Sequence, residues 1–258
     1  MKIDISFRMI FKKLIIISLL LLQTLYAGTI TIAVALNVSY AIPTIKKEFQ
    51  KLYPDINVIV ILGSSGKLTA QIKNGAPYEL FMSANMYYPN SLYKDKIATT
   101  KPTIYAQGTL AILSIKKLTT LEGIEVLKDK NIKKIAIANP KTAPYGKATL
   151  EVLKRTNIYK SIKKKLVYGE SISQTISYTL NAADIGVVAK SSLYSPKMSM
   201  FKKDINWMDV DIKLYTPIEQ GIVILKNAKT NTEVLNFYNF ILSQKAKQIF
   251  RNFGYLVS

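Results

Sequence analysis

The sequence predicts an α/β chain of two similar lobes built on parallel sheets, and three observations carry that expectation. Apolar, β-branched runs alternate with amphipathic stretches along the chain, the strand, helix, strand order that makes a parallel sheet. The runs are nearly all apolar, as strands buried on both faces are. Small polar residues, among them Asn37, Ser64, Ser65, Ser83 and Asn85, stand where strands end, and in open α/β sheets ligands bind beyond those carboxyl ends.

The first 27 residues stand apart from the fold. Lys2, Arg8, Lys12 and Lys13 give a basic start, residues 14–22 form an apolar run, and Leu25-Tyr26-Ala27 precedes Gly28 as a cleavage site, the layout of a secretory signal peptide. That run is shorter than the roughly 20 apolar residues of a membrane span, so export to the periplasm is expected. Cleavage after Ala27 leaves 231 of the 258 residues, enough for one large or two small lobes. The chain has no cysteine and no histidine. Disulfides, a lipid-modified cysteine, thiol catalysis, a Ser-His-Asp triad and the usual transition-metal ligands are thereby excluded. Formal net charge is +20, and loss of the leader's four basic residues and Asp4 leaves +17. Such a charge steers anions or favours an anionic surface. The lysines are scattered, from Lys46, Lys47 and Lys51 to Lys163, Lys164 and Lys165, and nucleic acid is not an expected partner outside the cytoplasm.

Residues 29–37 read as the first central strand. Ile42, Ile45, Phe49 and Leu52 then repeat at helical spacing opposite Lys46, Lys47, Glu48 and Lys51, with Asn37 or Ser39 as a candidate cap. Pro43 is tolerated only near the first turn. Tyr53-Pro54-Asp55 is a turn and residues 56–62 the second strand. Leu68 and Ile72 mark a short helix that Gly75 stops, and residues 79–83 form a third strand. The pattern renews itself with a strand over 109–115, an amphipathic stretch over 118–128 and a strand over 132–138. A helix follows through Ala148, Leu150, Val152 and Leu153, then a short strand over 166–168, a helix capped by Ser171 and a buried strand over 185–189. A strand over 222–225 and one long helix over 232–253, with Val234, Phe237, Phe240, Ile241 and Ile249 inward, close the chain. There is no internal sequence repeat. The expected lobes are 28–106 with 214–258, and an inserted 107–213, and clefts between such lobes are preferred small-ligand sites.

The stretch Gly63-Ser64-Ser65-Gly66-Lys67-Leu68 carries the most chemistry. It bares backbone at a helix start, where N–H groups lack intrahelical partners and the dipole is positive, which suits an anion. Ser64 and Ser65 can add hydroxyl donors; the plain alternative is that they only cap the helix. A nucleotide phosphate loop needs a glycine five residues before the Gly-Lys pair, and that position is Ile61. A second turn, rigid at Pro140 and Pro144 before Tyr145, can aim N–H groups likewise, and Gly169-Glu170-Ser171-Ile172 opens another helix. A releasable tetrahedral oxyanion is better held by such neutral dipoles than by buried lysines, which are costly to desolvate. Glu79, Glu170, Asp184 and Asp204 form no marked acid/base pair, so no enzyme is expected.

These residues carry a family resemblance. Residues 30–35 with Asn37, Gly63-Ser64-Ser65-Gly66 with Leu68, Gln71 and Ile72, and the block Gly75-Ala76-Pro77-Tyr78-Glu79-Leu80-Phe81-Met82-Ser83-Ala84 resemble the periplasmic molybdate-binding proteins of ABC importers. The turns at 139–146 and 169–172, the strand Ile185-Gly186-Val187-Val188 and the tail around Ala246, Phe250, Phe253 and Gly254 continue the match over essentially the whole mature chain. The resemblance implies a type II periplasmic-binding-protein fold, two α/β lobes with mixed, mostly parallel sheets around a ligand cleft. It implies a monomer that binds one molybdate or tungstate dianion, needs no cofactor and delivers its cargo to membrane permease subunits. Asn37 and Ser65 from one lobe, and the backbone N–H groups of Tyr145 and Ile172 from the other, are the implied donors, with Leu36 and Ser64 secondary. They act on the oxyanion and are not ligands of its metal atom. One branch of the family places a tyrosine where this chain has Ala189, a serine at Asn37 and an alanine at Tyr145, so the chain resembles the branch that uses asparagine.

Sulfate or phosphate on the same scaffold is the alternative cargo. An iron-binding relative would want carboxylates and paired tyrosines, of which these loops offer Tyr145 alone. A scaffold that holds a membrane or an anionic polymer through its charge would show salt-sensitive binding with no small-ion effect.

Overall fold

The computed structural model describes residues 28–118 and 123–257. The signal peptide expected over 1–27 lies outside them, as do residues 119–122 of the expected amphipathic stretch.

Two five-stranded sheets form the frame. Strands β1 (Gly28–Ala35), β2 (Ile56–Gly63), β3 (Leu80–Met82), β4 (Thr103–Gly108) and β10 (Ile218–Ile224) make the first, in the order β2-β1-β3-β10-β4. Strands β5 (Leu110–Leu113), β6 (Ile135–Ala138), β7 (Leu166–Gly169), β8 (Ile185–Ala189) and β9 (Trp207–Asp209) make the second, in the order β7-β6-β8-β5-β9. In each sheet the early strands pair in parallel, β1 with β2 and β3, β6 with β7 and β8. One strand in each, the returning β10 or the entering β5, runs antiparallel to its neighbours. The chain passes between sheets at Thr109 and returns between β9 and β10.

Helices cover these sheets: α1 (Ile42–Leu52), α2 (Ser65–Lys73), α3 (Tyr87–Lys94), α4 (Pro144–Arg155), α5 (Tyr159–Ile162), α6 (Ile172–Asn181), α7 (Thr232–Leu242) and α8 (Gln244–Asn252). Successive residues of a strand face opposite sides, and both sides are covered. Ile30, Ile32 and Val34 of β1 pack with Phe49, Phe237 and Phe250, whereas Ala33 packs with Leu68, Ile72 and Phe81 on the other face. In the second sheet, Ile112 joins Ile135, Ile137 and Leu153, while Ala111 and Leu113 join Ile176, Val188 and Trp207. This double burial is why the strands read as unbroken apolar runs. Among the described residues no helix is long and apolar enough to cross a membrane.

Several expectations change. Neither Asn37 nor Ser39 caps α1: the chain makes a 3-10 turn over Leu36–Val38, and Ala41 sits at the helix start with no side-chain cap. Pro43 falls in the first turn, where its missing N–H has no intrahelical partner to lose. The long terminal helix is two helices, broken at Ser243, which is extended (φ −72°, ψ 160°) and caps α8 by accepting from the Ala246 N–H at 3.3 Å. Of the stretch 118–128, the described part is a 3-10 helix, Gly123–Lys128. Strands β4 and β9 and helix α3 were not expected. Gly75 does end α2, with φ at +85°.

Phe237 is fully buried and meets the Phe49 ring edge-on at 5.0 Å. Phe237→Ala is expected to destabilise the chain by about 3–5 kcal/mol, read as a fall in the thermal midpoint of about 2–4 °C per kcal/mol.

Candidate functional site

The carboxyl ends of the parallel strands meet where the two sheets adjoin. β1 and β2 end together, Ala35 opposite Gly63. Beyond β1 the Leu36–Val38 turn buries Asn37, which is 2% exposed. Beyond β2, Ser64 takes the N-cap position of α2 in extended geometry but makes no side-chain cap bond, so the capping alternative does not account for it. Ser65, the first helical residue, is also buried. Its Oγ accepts from the Ala84 N–H at 3.0 Å, which fixes the oxygen and leaves the hydroxyl proton to be donated.

The second sheet supplies matching turns. β6 and β7 end side by side, Ala138 opposite Gly169. α4 then opens with Tyr145 as its second residue, and α6 opens with Ile172, behind a Ser171 cap whose Oγ accepts from the Gln174 N–H at 3.2 Å. Among the described residues, none accepts from the backbone N–H of Ser65, Tyr145 or Ile172. Three helix starts thus present unpaired donors.

The two lobes touch around these turns. The Gly66 N–H at the start of α2 donates to the Thr142 carbonyl ahead of α4 at 3.2 Å. The Ser191 hydroxyl donates to the Asn37 carbonyl at 3.2 Å, and α6 lies against the turn that holds Asn37. Ala35, Leu36 and Ala84 share one apolar cluster with Ala143, Tyr145 and Ile172. The structure therefore brings Asn37, Leu36, Ser65, Tyr145 and Ile172 to one junction, with Ser64 half-buried beside Ser65.

A buried polar network lies behind them. Asn37 Nδ2 donates to Gln220 Oε1 at 3.0 Å and stands 3.3 Å from Tyr255 Oη and 3.4 Å from Tyr145 Oη. Gln220 Nε2 donates to Tyr145 Oη at 3.0 Å, and the Tyr105 hydroxyl donates to Gln220 Oε1 at 2.8 Å. The Tyr255 hydroxyl donates to the Asn37 carbonyl at 2.7 Å. Burial pushes the phenols of Tyr105, Tyr145 and Tyr255 above their ordinary range, which keeps them neutral. Every side chain named in this junction is uncharged. Among the described residues no group of three or more acidic, histidine or cysteine side chains could hold a metal ion.

Sequence reasoning located Tyr145 for its backbone and missed its side chain, along with Gln220, Tyr105, Tyr255 and Ser191. No signal marked Gln220, which follows Glu219 and precedes Gly221 ahead of the apolar run 222–225.

Two lobes with helix starts facing a shared junction define a ligand-binding protein of the two-lobed class. The chain belongs to the bacterial extracellular solute-binding protein family, whose family description matches residues 30–256. It is 34% identical over 232 residues to the molybdate-binding protein ModA of Azotobacter vinelandii, covering 89% of this chain and 90% of that one. It is 32% identical over 235 residues to ModA of Rhodobacter capsulatus, covering 89% of each. Among solved structures, the Azotobacter vinelandii periplasmic molybdate-binding protein superposes with a TM-score of 0.81 at 29% identity, over 89% of this chain and 99% of that chain.

The buried phenols set an alkaline limit. A group with a raised folded pKa contributes stability that is present below its unfolded pKa, near 10 for tyrosine, and lost as pH rises above it. Unfolding free energy should therefore lose ~1.4 kcal/mol per pH unit for each buried phenol above pH ~10. Denaturant titrations from pH 8 to 11 should show a shallower loss for Tyr105→Phe.

Proposed function

We propose that this chain is an extracytoplasmic substrate-binding protein that captures molybdate, and tungstate with it, and delivers the anion to the permease subunits of an ABC importer. The observation that carries this reading is the meeting of three unpaired helix starts with buried Ser65 and Asn37 at a junction whose named side chains are all uncharged. A tetrahedral dianion needs several donors from several directions, and fixed N–H dipoles at helix starts supply them at no desolvation cost for a counter-charge. The names of the relatives support molybdate as the cargo.

In this reading the backbone N–H groups of Tyr145 and Ile172 bind from the inserted lobe. Ser65, through hydroxyl and backbone, and the Asn37 amide bind from the other, with Leu36 and Ser64 as neighbouring donors. Hydrogen bonds to a charged group are roughly twice as strong as neutral ones, so a handful suffices. Residues 107–213 close against 28–106 and 214–258 when the anion bridges them, and the closed shape is what the importer recognises. The protein acts as a monomer in the periplasm, brought there by the leader over 1–27, and performs no chemical step.

Calorimetric titration of residues 28–258, stripped of anion, with molybdate, tungstate, sulfate and phosphate tests the cargo. One-to-one binding of the first two and none of the others is expected; tighter binding of sulfate or phosphate would replace the substrate. Replacing Asn37 and Ser65 together with alanine should weaken molybdate binding at least about tenfold. Affinity within a factor of two of the parent would remove both from the donor set.

A further inference from the structure

Asn37 Oδ1 is buried and has no hydrogen-bond partner, and a second deficit lies beside it. Tyr145 Oη accepts from both Asn37 Nδ2 and Gln220 Nε2, yet among the described residues nothing accepts the Tyr145 hydroxyl proton. Two buried polar groups short of partners a few ångströms apart are costly, and they share a remedy.

The two carboxamides meet at one contact, Asn37 Nδ2 to Gln220 Oε1, 3.0 Å long. Turning one amide alone would set oxygen against oxygen or nitrogen against nitrogen there. Turning both restores a bond of the opposite sense, with Gln220 Nε2 donating to Asn37 Oδ1. Gln220 Oε1 then stands in the position 3.0 Å from Tyr145 Oη and accepts its proton. Tyr105, whose Oη is 3.3 Å from the Ser83 carbonyl, donates there and accepts the second Gln220 N–H. Asn37 Oδ1 and the Tyr145 hydroxyl are then both satisfied, and the unpaired group becomes a donor, Asn37 Nδ2. The Asn37 Nδ2 edge is at the same time freed from the network and takes the buried, unpartnered position that Oδ1 held.

We infer that Gln220 is the positioning residue of the anion site: its amide and that of Asn37 turn as a pair, and the turned pair presents Asn37 as a donor to the oxyanion. This rests on the anion-site reading above. An oxyanion is repelled by an outward carbonyl oxygen and bound by an outward N–H, so the coupled turn decides whether Asn37 opposes or supports binding. Gln220 is suited to the task. It is fully buried and sits at a register shift of β10 between Gln220 and Gly221. Its Nε2 also lies against Gly108, where an added Cβ would stand only 2.7 Å away, so a glycine at that position leaves the amide room to turn.

The test begins with the unsubstituted, 15N-labelled chain titrated with sodium molybdate. The side-chain amide resonances of Asn37 and Gln220 should shift together, at the same molybdate concentration. A Gln220 resonance that stays put while Asn37 shifts overturns the pairing. Two variants separate position from charge. Gln220→Met can donate nothing to Asn37 Oδ1, and its molybdate affinity should fall about tenfold at every pH. Gln220→Glu places a carboxyl in a site that raises its pKa by burial. Ionised at pH 9, it only accepts and holds Asn37 the wrong way, so affinity falls about tenfold or more; protonated toward pH 6, it donates again and affinity returns. The unsubstituted chain should vary less than about threefold over that range, because it lacks a titrating group at this position. Affinities of both variants within a factor of two of the parent overturn the inference. Failure of the unsubstituted chain to bind any of the four oxyanions would instead overturn the anion reading, and the pairing with it.

Discussion

The buried hydrogen bonds around Asn37 are the constraint on which the arrangement of the two lobes depends. Asn37 comes from the end of β1, Gln220 from β10, Tyr105 from β4, Tyr255 from the tail, and Tyr145 and Ser191 from the inserted lobe, and all six are at most 4% exposed. A polar group so far from water must find partners within the protein or cost as much as the bond it forgoes. Each lobe therefore supplies partners the other lacks, and their relative position is set by hydrogen bonds of 3.0–3.4 Å as well as by apolar contact.

That the network is neutral follows from the same physics. A lysine in this place would have to be desolvated against a partner that leaves with every delivery. The chain has 36 basic residues, and none of the side chains named in this network is among them. Several pair at the surface with nearby acids, Lys51 with Glu48, Lys73 with Asp95 and Lys128 with Glu125, where such pairs contribute little to stability. Their summed field draws anions from a distance and is screened by salt, whereas the junction acts at hydrogen-bond range. In the proposed reading, attraction and recognition are carried by different residues.

Much of this was legible in the sequence, and the parts that were not share a cause. β1, β6 and β8 could be read because both their faces are covered, and β2 because its run stays apolar even where Ile59 and Leu62 are exposed. β4 and β9 lie at the sheet edges, with Ile104 half in solvent and β9 only three residues long, so neither keeps a long apolar run. Pro89 in the first turn of α3 and its mixed composition hid that helix. Ser243 is a favoured cap residue, but the apolar spacing on either side of it looks continuous. The turns that bare N–H groups were readable from their glycines, serines and prolines. The polar network was not, because Gln220, Tyr105 and Tyr255 are remote in sequence from Asn37 and acquire their roles only when β10 and the tail return to the first sheet.

The central claim is that neutral dipoles alone hold the anion. The most direct measurement is a crystal structure of the molybdate complex, with the metal located by its anomalous scattering. One peak is expected, beyond the ends of β1, β2, β6 and β7. Its oxygens should lie about 2.7–3.2 Å from the Asn37 amide, the Ser65 hydroxyl and the backbone nitrogens of Tyr145 and Ile172, with no lysine or arginine nitrogen at that range. A lysine or arginine nitrogen bonded to the anion, or a peak elsewhere on the chain, would contradict it.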